Sequence, residues 1–283
     1  MNVAEKSMDT VAAPPSKFIE SPNGRIHYQE VGSGAPVVLI HGGGAGAFGY
    51  SNYRKNIGPL SKRNRVIIFD MPGFGQSPAR PAPDGLFKLM ASALREVLDH
   101  LDIEKTSLVG NSLGGATSLR FALDNPERVD KLILMGSAGS LPVHTVMPNE
   151  GAFRLLGFYR GEGPTMAKLR GLLEVLIYDT SGITEELLAE RFKSATMPSV
   201  VANPPLHLFK PNDKLWTEPL DQLPHQTLLI WGREDRVVPM DAAFILQKQI
   251  PNADLVVFSK CGHWVQWEKA DEFNRIVGDF LHQ

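Results

Sequence analysis

A serine with the surroundings of a catalytic nucleophile lies near the middle of the chain. Residues 110–114 read Gly-Asn-Ser-Leu-Gly and follow an apolar run that ends at Val109. A helical pattern, GATSLRFAL, comes directly afterwards, which places Ser112 between a predicted strand and a predicted helix. This context is typical of a nucleophile elbow, where two glycines remove the Cβ atoms that would clash in a tight turn. The backbone N–H of Leu113, at the helix N-terminus, is then suited to bind a developing oxyanion.

A serine hydroxyl also needs a general base, and the base needs an acid that orients it. Around an elbow of this kind the acid, and then the histidine, follow the serine along the chain. Of the eight histidines, His263 fits best, because it lies in the loop after the predicted strand 254–258. Ligands bind at such strand ends in open α/β sheets. Glu234 and Asp235 both follow the strand 227–231, and spacing alone does not choose between them.

Cys261 lies two residues before His263 and could suggest a cysteine–histidine pair. Because Ser112 already occupies the elbow, we interpret Cys261 as a small buried thiol. It is the only cysteine, so an intramolecular disulfide and a zinc site of the Cys-x-x-Cys kind are both excluded.

The run His-Gly-Gly-Gly-Ala-Gly at 41–46 follows the strand VVLI, and such a loop supplies a second oxyanion N–H in folds with this elbow. The same stretch contains a competing pattern. Gly44, Gly46 and Gly49 fit Gly-x-Gly-x-x-Gly, and Asp70 follows at the distance that a dinucleotide site requires. We reject that site, because a glycine-rich turn follows Asp70 and because it leaves the later serine, acid and histidine unexplained.

Alternating strands and helices are predicted to position these residues. Near-continuous apolar runs such as VVLI, VIIF and LILM indicate strands buried on both faces of a parallel sheet. The predicted strands are 25–31, 36–40, 65–70, 106–110, 131–135, 227–231 and 254–258, and the predicted helices are 86–101, 115–124, 241–249 and 270–282. This alternation predicts an α/β doubly wound sheet with helices on both faces.

The alternation stops in a segment, 139–220, that we call the cap. Helical patterns cover 150–160, 165–178 and 184–195, and Thr184 has the character of a helix start. We therefore expect a core of residues 18–138 and 221–283, a helical cap inserted between two strands, and a flexible N-terminal tail at 1–17.

Composition limits the possible classes of function. The chain has 283 residues, of which 43% are hydrophobic and 21% charged, with a formal net charge of −2. These values are ordinary for a soluble globular protein and do not favour nucleic-acid binding. No apolar run is long enough for a membrane span and no secretory signal precedes residue 17, so we expect a cytoplasmic protein.

Several longer motifs together resemble the meta-cleavage product hydrolases, carbon–carbon bond hydrolases of the α/β-hydrolase fold that act in aromatic degradation. They are HGGGAGAFGYSNYRKNIGPL, DMPGFGQS, LVGNSLGGATSL, LILMGSAG, WGREDRVVP and CGHWVQWEKADEFN. The resemblance covers roughly residues 18–283, including the cap. The elbow is generic to the superfamily, whereas the Ser51-Asn52 pair, the Gly-Asn-Ser-x-Gly-Gly-Ala-Thr stretch and Cys-Gly-His-Trp are more specific.

This resemblance implies a reaction and a set of residues. The substrates would be 2-hydroxy-6-oxohexa-2,4-dienoates substituted at C6, cleaved by water at the C5–C6 bond to a 2-hydroxypenta-2,4-dienoate and a carboxylic acid. It selects Asp235 as the acid. It implies oxyanion N–H groups from Gly43 and Leu113, and substrate contacts from Gly42, Asn52, Asn111, Arg191 and Trp264. It further implies a small-molecule substrate, no cofactor, no metal and a homo-oligomer.

The implied chemistry suits these residue types. The leaving group is a carbanion, which becomes tolerable when the dienol first tautomerises to a ketone and charge spreads onto the 2-oxygen. Arg191, on the predicted helix 184–195, is suited to pair with the substrate carboxylate. Where the family pattern has an aromatic pocket residue after the acid, this chain has Val237, and Leu176 and Ile177 form a similarly aliphatic stretch. Two alternatives remain: a carboxylesterase with the same triad, and a non-catalytic binding protein of this fold.

Overall fold

The sheet that carries the candidate residues is seen in a computed structural model, which describes residues 12–140 and 149–283. In this part of the chain one sheet contains eight strands in the order β1-β2-β4-β3-β5-β6-β7-β8. The strands are β1 (Lys17–Ser21), β2 (Gly24–Val31), β3 (Ala35–Ile40), β4 (Asn64–Phe69), β5 (Thr106–Asn111), β6 (Val129–Met135), β7 (Gln226–Gly232) and β8 (Ala253–Phe258).

The sheet is mostly parallel. Strands β3 to β8 pair in parallel throughout, whereas β1 and β2 form an antiparallel edge that joins the rest through β4. The central strands β3, β5 and β6 are buried apart from Ala35, Pro36 and Asp130, as expected for strands that helices cover on both faces. The predicted α/β fold with a mostly parallel sheet is therefore confirmed.

Helices cover both faces of the sheet, and alternate residues of one strand contribute to the two resulting cores. In β3, Val38 and Ile40 point to one core, and Val37 and Leu39 to the other. The helices of the described residues are α1 (Gly49–Tyr53), α2 (Ile57–Ser61), α3 (Leu86–His100), α4 (Leu113–Asp124), α5 (Glu150–Gly157), α6 (Met166–Leu176), α7 (Glu185–Ala195), α8 (Pro198–Ala202), α9 (Asp241–Gln249), α10 (Val265–Glu268) and α11 (Ala270–Leu281). Helices α3, α4 and α9 pack on the first face, and α2 and α11 on the second.

The cap contains only helices in its described part. Helices α5, α6 and α7 match the three predicted helical patterns, and the Thr184 hydroxyl accepts the N–H of Leu187 at the start of α7. A third apolar cluster joins the cap to the loops at the carboxyl edge of the sheet. It combines Leu172 and Leu188 of the cap with Ala45, Val237 and Trp264, among others, so the cap lies against those loops.

The structure differs from the sequence-based expectation mainly in short elements. Strand β1 and helices α1, α2, α8 and α10 were not predicted, and each is at most five residues long. Such elements are fixed by tertiary packing rather than by a periodic pattern of their own.

The N-terminal tail was expected at 1–17, and residues 1–11 lie outside the described part, as do residues 141–148 of the cap. Lys17, however, is the first residue of β1, and the Ser16 hydroxyl lies 2.9 Å from Nε2 of His27 in β2. The end of the expected tail is thus bound to the sheet. None of the helices in residues 12–140 and 149–283 combines the length and apolar character that a membrane crossing requires.

Candidate active site

Ser112 occupies a strained turn between β5 and α4. Its backbone has φ 54° and ψ −112°, a conformation that costs a non-glycine residue about 1–3 kcal/mol. The flanking glycines permit this turn, because a Cβ on Gly110 would lie 2.3 Å from the carbonyl oxygen of Gly114. A Cβ on Gly114 would lie 2.1 Å from the carbonyl oxygen of Ile40. The Gly-x-Ser-x-Gly spacing therefore has the steric cause that the sequence suggested.

His263 and Asp235 are in direct contact. Nδ1 of His263 lies 2.7 Å from Oδ2 of Asp235, and both side chains are almost fully buried. The second oxygen, Oδ1, accepts the backbone N–H groups of Val237 and Val238 at 2.8 and 2.9 Å. A carboxylate held in this way fixes the ring of His263 and leaves Nε2 to act on a proton.

The other two candidates near His263 have different partners. Glu234, which spacing could not separate from Asp235, accepts the backbone N–H of Cys261 and pairs with Arg233. The thiol of Cys261 is buried, and burial raises its pKa, so that it stays protonated at neutral pH. The structure thus places only Asp235 against the histidine ring.

Gly136, at the end of β6, is a site residue that the sequence reasoning missed. A Cβ at this position would lie 2.7 Å from Nδ1 of His263 and 3.1 Å from Oδ2 of Asp235. Its φ of +49° also favours glycine. The available signal was a glycine directly after an apolar strand, at the same sheet edge as the other site residues.

The glycine loop after β3 lies beside the elbow. A Cβ on Gly42 would lie 3.4 Å from Cβ of Ser112, and one on Gly43 would lie 3.1 Å from Cδ2 of Leu113. His41 is buried and fixes the loop, since its Nδ1 contacts the Gly42 carbonyl at 2.8 Å and its Nε2 accepts a backbone N–H at 3.0 Å. Burial lowers the pKa of His41, consistent with a neutral ring that donates from one nitrogen and accepts at the other.

Arg191 of the cap is a fully buried cation beside the same loop. Its Nη2 donates to the Ala45 carbonyl at 3.0 Å, whereas Nε and Nη1 have no hydrogen-bond partner among the described residues. The guanidinium carbon lies 4.7 Å from the centre of the Trp264 ring. The neighbouring carboxylate, Glu190, pairs instead with Arg54. Burial lowers the pKa of Arg191 to about 9.

Two buried asparagines also have unused polar atoms. Neither amide atom of Asn52 has a hydrogen-bond partner among the described residues, although the side chain is buried. Asn111 donates its Nδ2 to the carbonyls of Met135 and His263, both at 3.3 Å. Its Oδ1 is unpartnered and would lie 3.0 Å from a Cβ on Gly42. Asn111 therefore offers an acceptor oxygen to this region.

The glycines and the aspartate of the rejected dinucleotide pattern have structural roles. Asp70 accepts the backbone N–H groups of Gly49 and Gln76 at 2.8 and 2.9 Å and contacts Nδ1 of His27 at 2.8 Å, so its carboxylate holds a turn. Gly46, with φ +67°, lies where a Cβ would be 2.0 Å from the Arg191 carbonyl oxygen. Gly46 thus allows the cap and core backbones to approach. Among the described residues no cluster of histidine, cysteine or carboxylate side chains could hold a metal ion.

Val237 contacts the first turn of α5. A Cβ on Gly151 would lie 2.6 Å from Cγ2 of Val237, and the Gly151 N–H donates to the Arg236 carbonyl at 3.1 Å. The small side chain thus lets the cap approach the loop after β7. A small, mostly apolar cleft adjoins the glycine loop, lined by Gly43, Ala45, Phe74, Leu155, Leu156, Tyr159, Pro205, Leu206 and His207.

Known proteins resemble the chain in sequence over nearly its whole length. The family model of the alpha/beta hydrolase fold matches residues 35–162 and 152–270. A 2-hydroxy-6-oxo-6-phenylhexa-2,4-dienoate hydrolase of Comamonas testosteroni is 44% identical, with 91% of each chain covered. A 2-hydroxy-6-oxononadienedioate/2-hydroxy-6-oxononatrienedioate hydrolase of Dechloromonas aromatica is 40% identical, with 97% of this chain and 98% of the relative covered.

A solved structure agrees with these relatives. The meta-cleavage product hydrolase CumD from Pseudomonas fluorescens IP01 superposes with a TM-score of 0.84 at 36% identity, covering 94% of this chain and 97% of that one. Fold, sequence and coverage lead to one conclusion. The chain belongs to the meta-cleavage product hydrolases, the carbon–carbon bond hydrolases of the α/β-hydrolase fold.

Proposed function

We propose that this enzyme cleaves the C5–C6 bond of 6-substituted 2-hydroxy-6-oxohexa-2,4-dienoates with Ser112, His263 and Asp235 as its catalytic triad. The observation that carries the proposal is Arg191, a buried guanidinium with two unpartnered nitrogen atoms. A buried cation without a carboxylate partner is unfavourable in the free protein, so a bound anion is its natural complement. The substrates in the names of these two relatives are all carboxylates, which fits this requirement.

The glycine loop indicates how far apart Ser112 and Arg191 lie, and therefore how long a substrate must be to reach both. Gly42 lies beside Ser112, and Gly44 lies beside Arg191, where a Cβ would be 3.3 Å from Nη2. Two residues of extended chain span at most about 7 Å, which is comparable to the length of an extended six-carbon chain. A dienoate lying along the loop would therefore bring its carboxylate to Arg191 and its C6 carbonyl to Ser112.

The proposed reaction begins with proton transfer. His263, oriented by Asp235, takes the proton of the 2-hydroxyl and delivers it to C5, giving the ketone. Arg191 and the unpartnered amide of Asn52 would stabilise negative charge at the carboxylate and 2-oxygen end during this step. The ketone at C2 can then accept the electron pair that is released when the C5–C6 bond breaks.

Carbon–carbon cleavage follows addition at C6. Ser112, or a water molecule that it helps to place, adds to the carbonyl carbon, and the N–H groups of Gly43 and Leu113 bind the oxyanion. When the oxyanion collapses, the C5–C6 electron pair moves into the dienolate and reaches the 2-oxygen. If Ser112 is the nucleophile, the cleavage leaves an acyl-serine, and a water molecule activated by His263 then displaces the serine oxygen and releases the acid. In total one water molecule is consumed: its hydroxyl becomes part of the carboxylic acid, and its hydrogen remains on the dienoate product.

A single assay tests this function. The purified enzyme is mixed with 2-hydroxy-6-oxo-6-phenylhexa-2,4-dienoate, and loss of its visible absorbance is followed beside hydrolysis of 4-nitrophenyl acetate. We expect rapid bleaching, with both products found in equal amounts. Turnover of the ester without bleaching of any 6-aryl or 6-alkyl dienoate would show a carboxylesterase instead. Ser112→Ala should lower kcat at least about a thousandfold, because it removes the nucleophile of the triad.

A further inference from the structure

Glu268, a half-buried carboxylate on α10, bridges two segments that otherwise belong to different parts of the fold. Its Oε1 accepts the backbone N–H of Gly262 at 2.7 Å. Its Oε2 accepts the N–H groups of Tyr178 and Asp179 at 2.7 and 3.3 Å. One oxygen thus binds the loop of His263, and the other binds the chain that follows cap helix α6.

The same two segments are joined at a second point. The carbonyl oxygen of Leu176, the last residue of α6, accepts the N–H groups of His263 and Trp264 at 2.8 and 3.2 Å. Carbonyl groups at the end of a helix lack partners within it, so the histidine loop supplies the partners here. A Cβ on Gly262 would lie 2.9 Å from this carbonyl oxygen, which shows how closely the two backbones approach.

Three backbone N–H groups stabilise the charge of Glu268. No lysine or arginine of the described residues forms an ion pair with it. Burial nevertheless holds its pKa above the ordinary value of a glutamate. Burial of the Glu268 carboxylate is therefore unfavourable by itself. Its hydrogen bonds fix the histidine loop against the cap.

We propose that Glu268 is a positioning residue that holds His263 and Trp264 in register with the cap. The inference rests on the proposed function, since it takes His263 as the general base. His263 reaches its partner Asp235 from one side, and its own backbone is held from the other side by Leu176 and, through Gly262, by Glu268. A displacement of about 1 Å between reacting groups lowers catalysis by about a hundredfold.

The carboxylate has one accepting oxygen for each segment, and this suggests a graded set of variants. Glu268→Gln keeps the shape of the side chain but only one acceptor oxygen, and Glu268→Ala keeps none. We expect kcat to fall about tenfold in the first variant and about a hundredfold in the second. Glu272→Gln, an exposed position on α11, is the matched control and should equal the wild type.

The measurement separates positioning from general stability. Active sites are titrated, and kcat and KM are then determined for the phenyl dienoate and for 4-nitrophenyl acetate, together with Tm. The ester needs His263 but no carboxylate site, so its kcat should fall while its KM changes less than about twofold. If Glu268→Ala does not fold, the isosteric Gln variant alone decides the matter.

Two outcomes would overturn the inference. One is an unchanged kcat per titrated site in Glu268→Gln, with or without a lower Tm; the other is an equal loss in Glu272→Gln. Failure of the proposed function has a different sign, because the wild type would then cleave the ester but not the dienoate. The ester kcat of the Glu268 variants would in that case still test the positioning role. A wild type without activity on either substrate would overturn both.

Discussion

Replacement of Arg191 by methionine should separate substrate recognition from the rest of catalysis. Methionine keeps much of the buried apolar volume and removes the charge and the unpartnered Nε and Nη1. In the free enzyme this cation has no carboxylate partner among the described residues, and its hydrogen bond to the Ala45 carbonyl and the Trp264 ring offer only partial compensation. The substitution should therefore affect activity and stability in opposite directions.

The expected loss of activity follows from the burial of Arg191. Loss of one partner of a buried, hydrogen-bonded charge pair costs about 2–5 kcal/mol. A central value of about 3 kcal/mol corresponds to about a 150-fold fall in kcat/KM for a dienoate. A neutral ester has no carboxylate to lose, so its kcat/KM should change less than about threefold.

The expected gain in stability follows from the pKa. Because burial lowers the pKa of Arg191 to about 9 in the folded state, the charged form is disfavoured by folding. This penalty is fully present below pH 9 and decreases as pH rises above 9, where the folded protein releases the proton before the unfolded chain does. Arg191→Met should therefore have a higher Tm than the wild type at pH 7.5, by about 2–4 °C for each kcal/mol gained. The difference should shrink at pH 10.

The assay compares the bleaching of the phenyl dienoate with ester hydrolysis, and adds thermal unfolding at both pH values. Arg170→Met is the matched control, because Arg170 is a partly exposed cap arginine paired with Glu185. The reasoning is refuted if Arg191→Met lowers activity on the ester as much as on the dienoate. It is equally refuted if the variant is less stable than the wild type at pH 7.5 while Arg170→Met is unchanged.

Three further predictions concern the surroundings of the site. Cys261→Ala should retain wild-type kcat in the dienoate assay, because the buried thiol has a raised pKa; a loss beyond about tenfold would revive a cysteine–histidine reaction. Arg54→Glu and Glu190→Arg should each raise KM for the dienoate by about twofold to fivefold, and the double reversal should restore part of the loss, since this ion pair joins the residue after α1 to the helix of Arg191. Val237→Phe should lower Tm and kcat for the phenyl dienoate, because Gly151 already contacts the valine; unchanged values for both would show that the cap is free to move away there.

Much of the fold could be predicted because long, strongly patterned segments carry their own signal. The strands 36–40 and 131–135 are apolar apart from Lys131, and the structure places them in the buried centre of the sheet. Thr184 was expected to begin a helix, and its hydroxyl accepts an N–H in the first turn of α7. Helix α8, by contrast, lies in a tract rich in proline and asparagine, and five residues contain too little periodicity to identify it.

The single motifs of the candidate site could be predicted from the sequence, whereas the contacts between distant segments could not. Chain order and strand ends identified the Ser112 elbow and the loop of His263, whereas only the resemblance selected Asp235 over Glu234; the structure places Asp235 on the histidine. Gly136 and Glu268 were missed because their importance depends on distances across the fold. A glycine after a strand and a glutamate on a short helix are common, and neither spacing nor composition shows what lies beside them.

The unpartnered polar atoms connect these observations. Arg191, Asn52 and Asn111 have buried donors or acceptors without partners in the described residues. Asn111 ends β5 directly before Ser112, Asn52 lies on α1 after the glycine loop, and Arg191 lies on cap helix α7. Folding alone disfavours such atoms, since each loses its contact with water without replacement. A site that must bind a carboxylate and stabilise a transient charge needs these same atoms to be free beforehand. The contacts of Glu268 and Leu176 hold the loop of His263 and Trp264. That loop in turn accepts the Asn111 amide and stacks against Arg191, so the same contacts help to keep these unpaired groups in position.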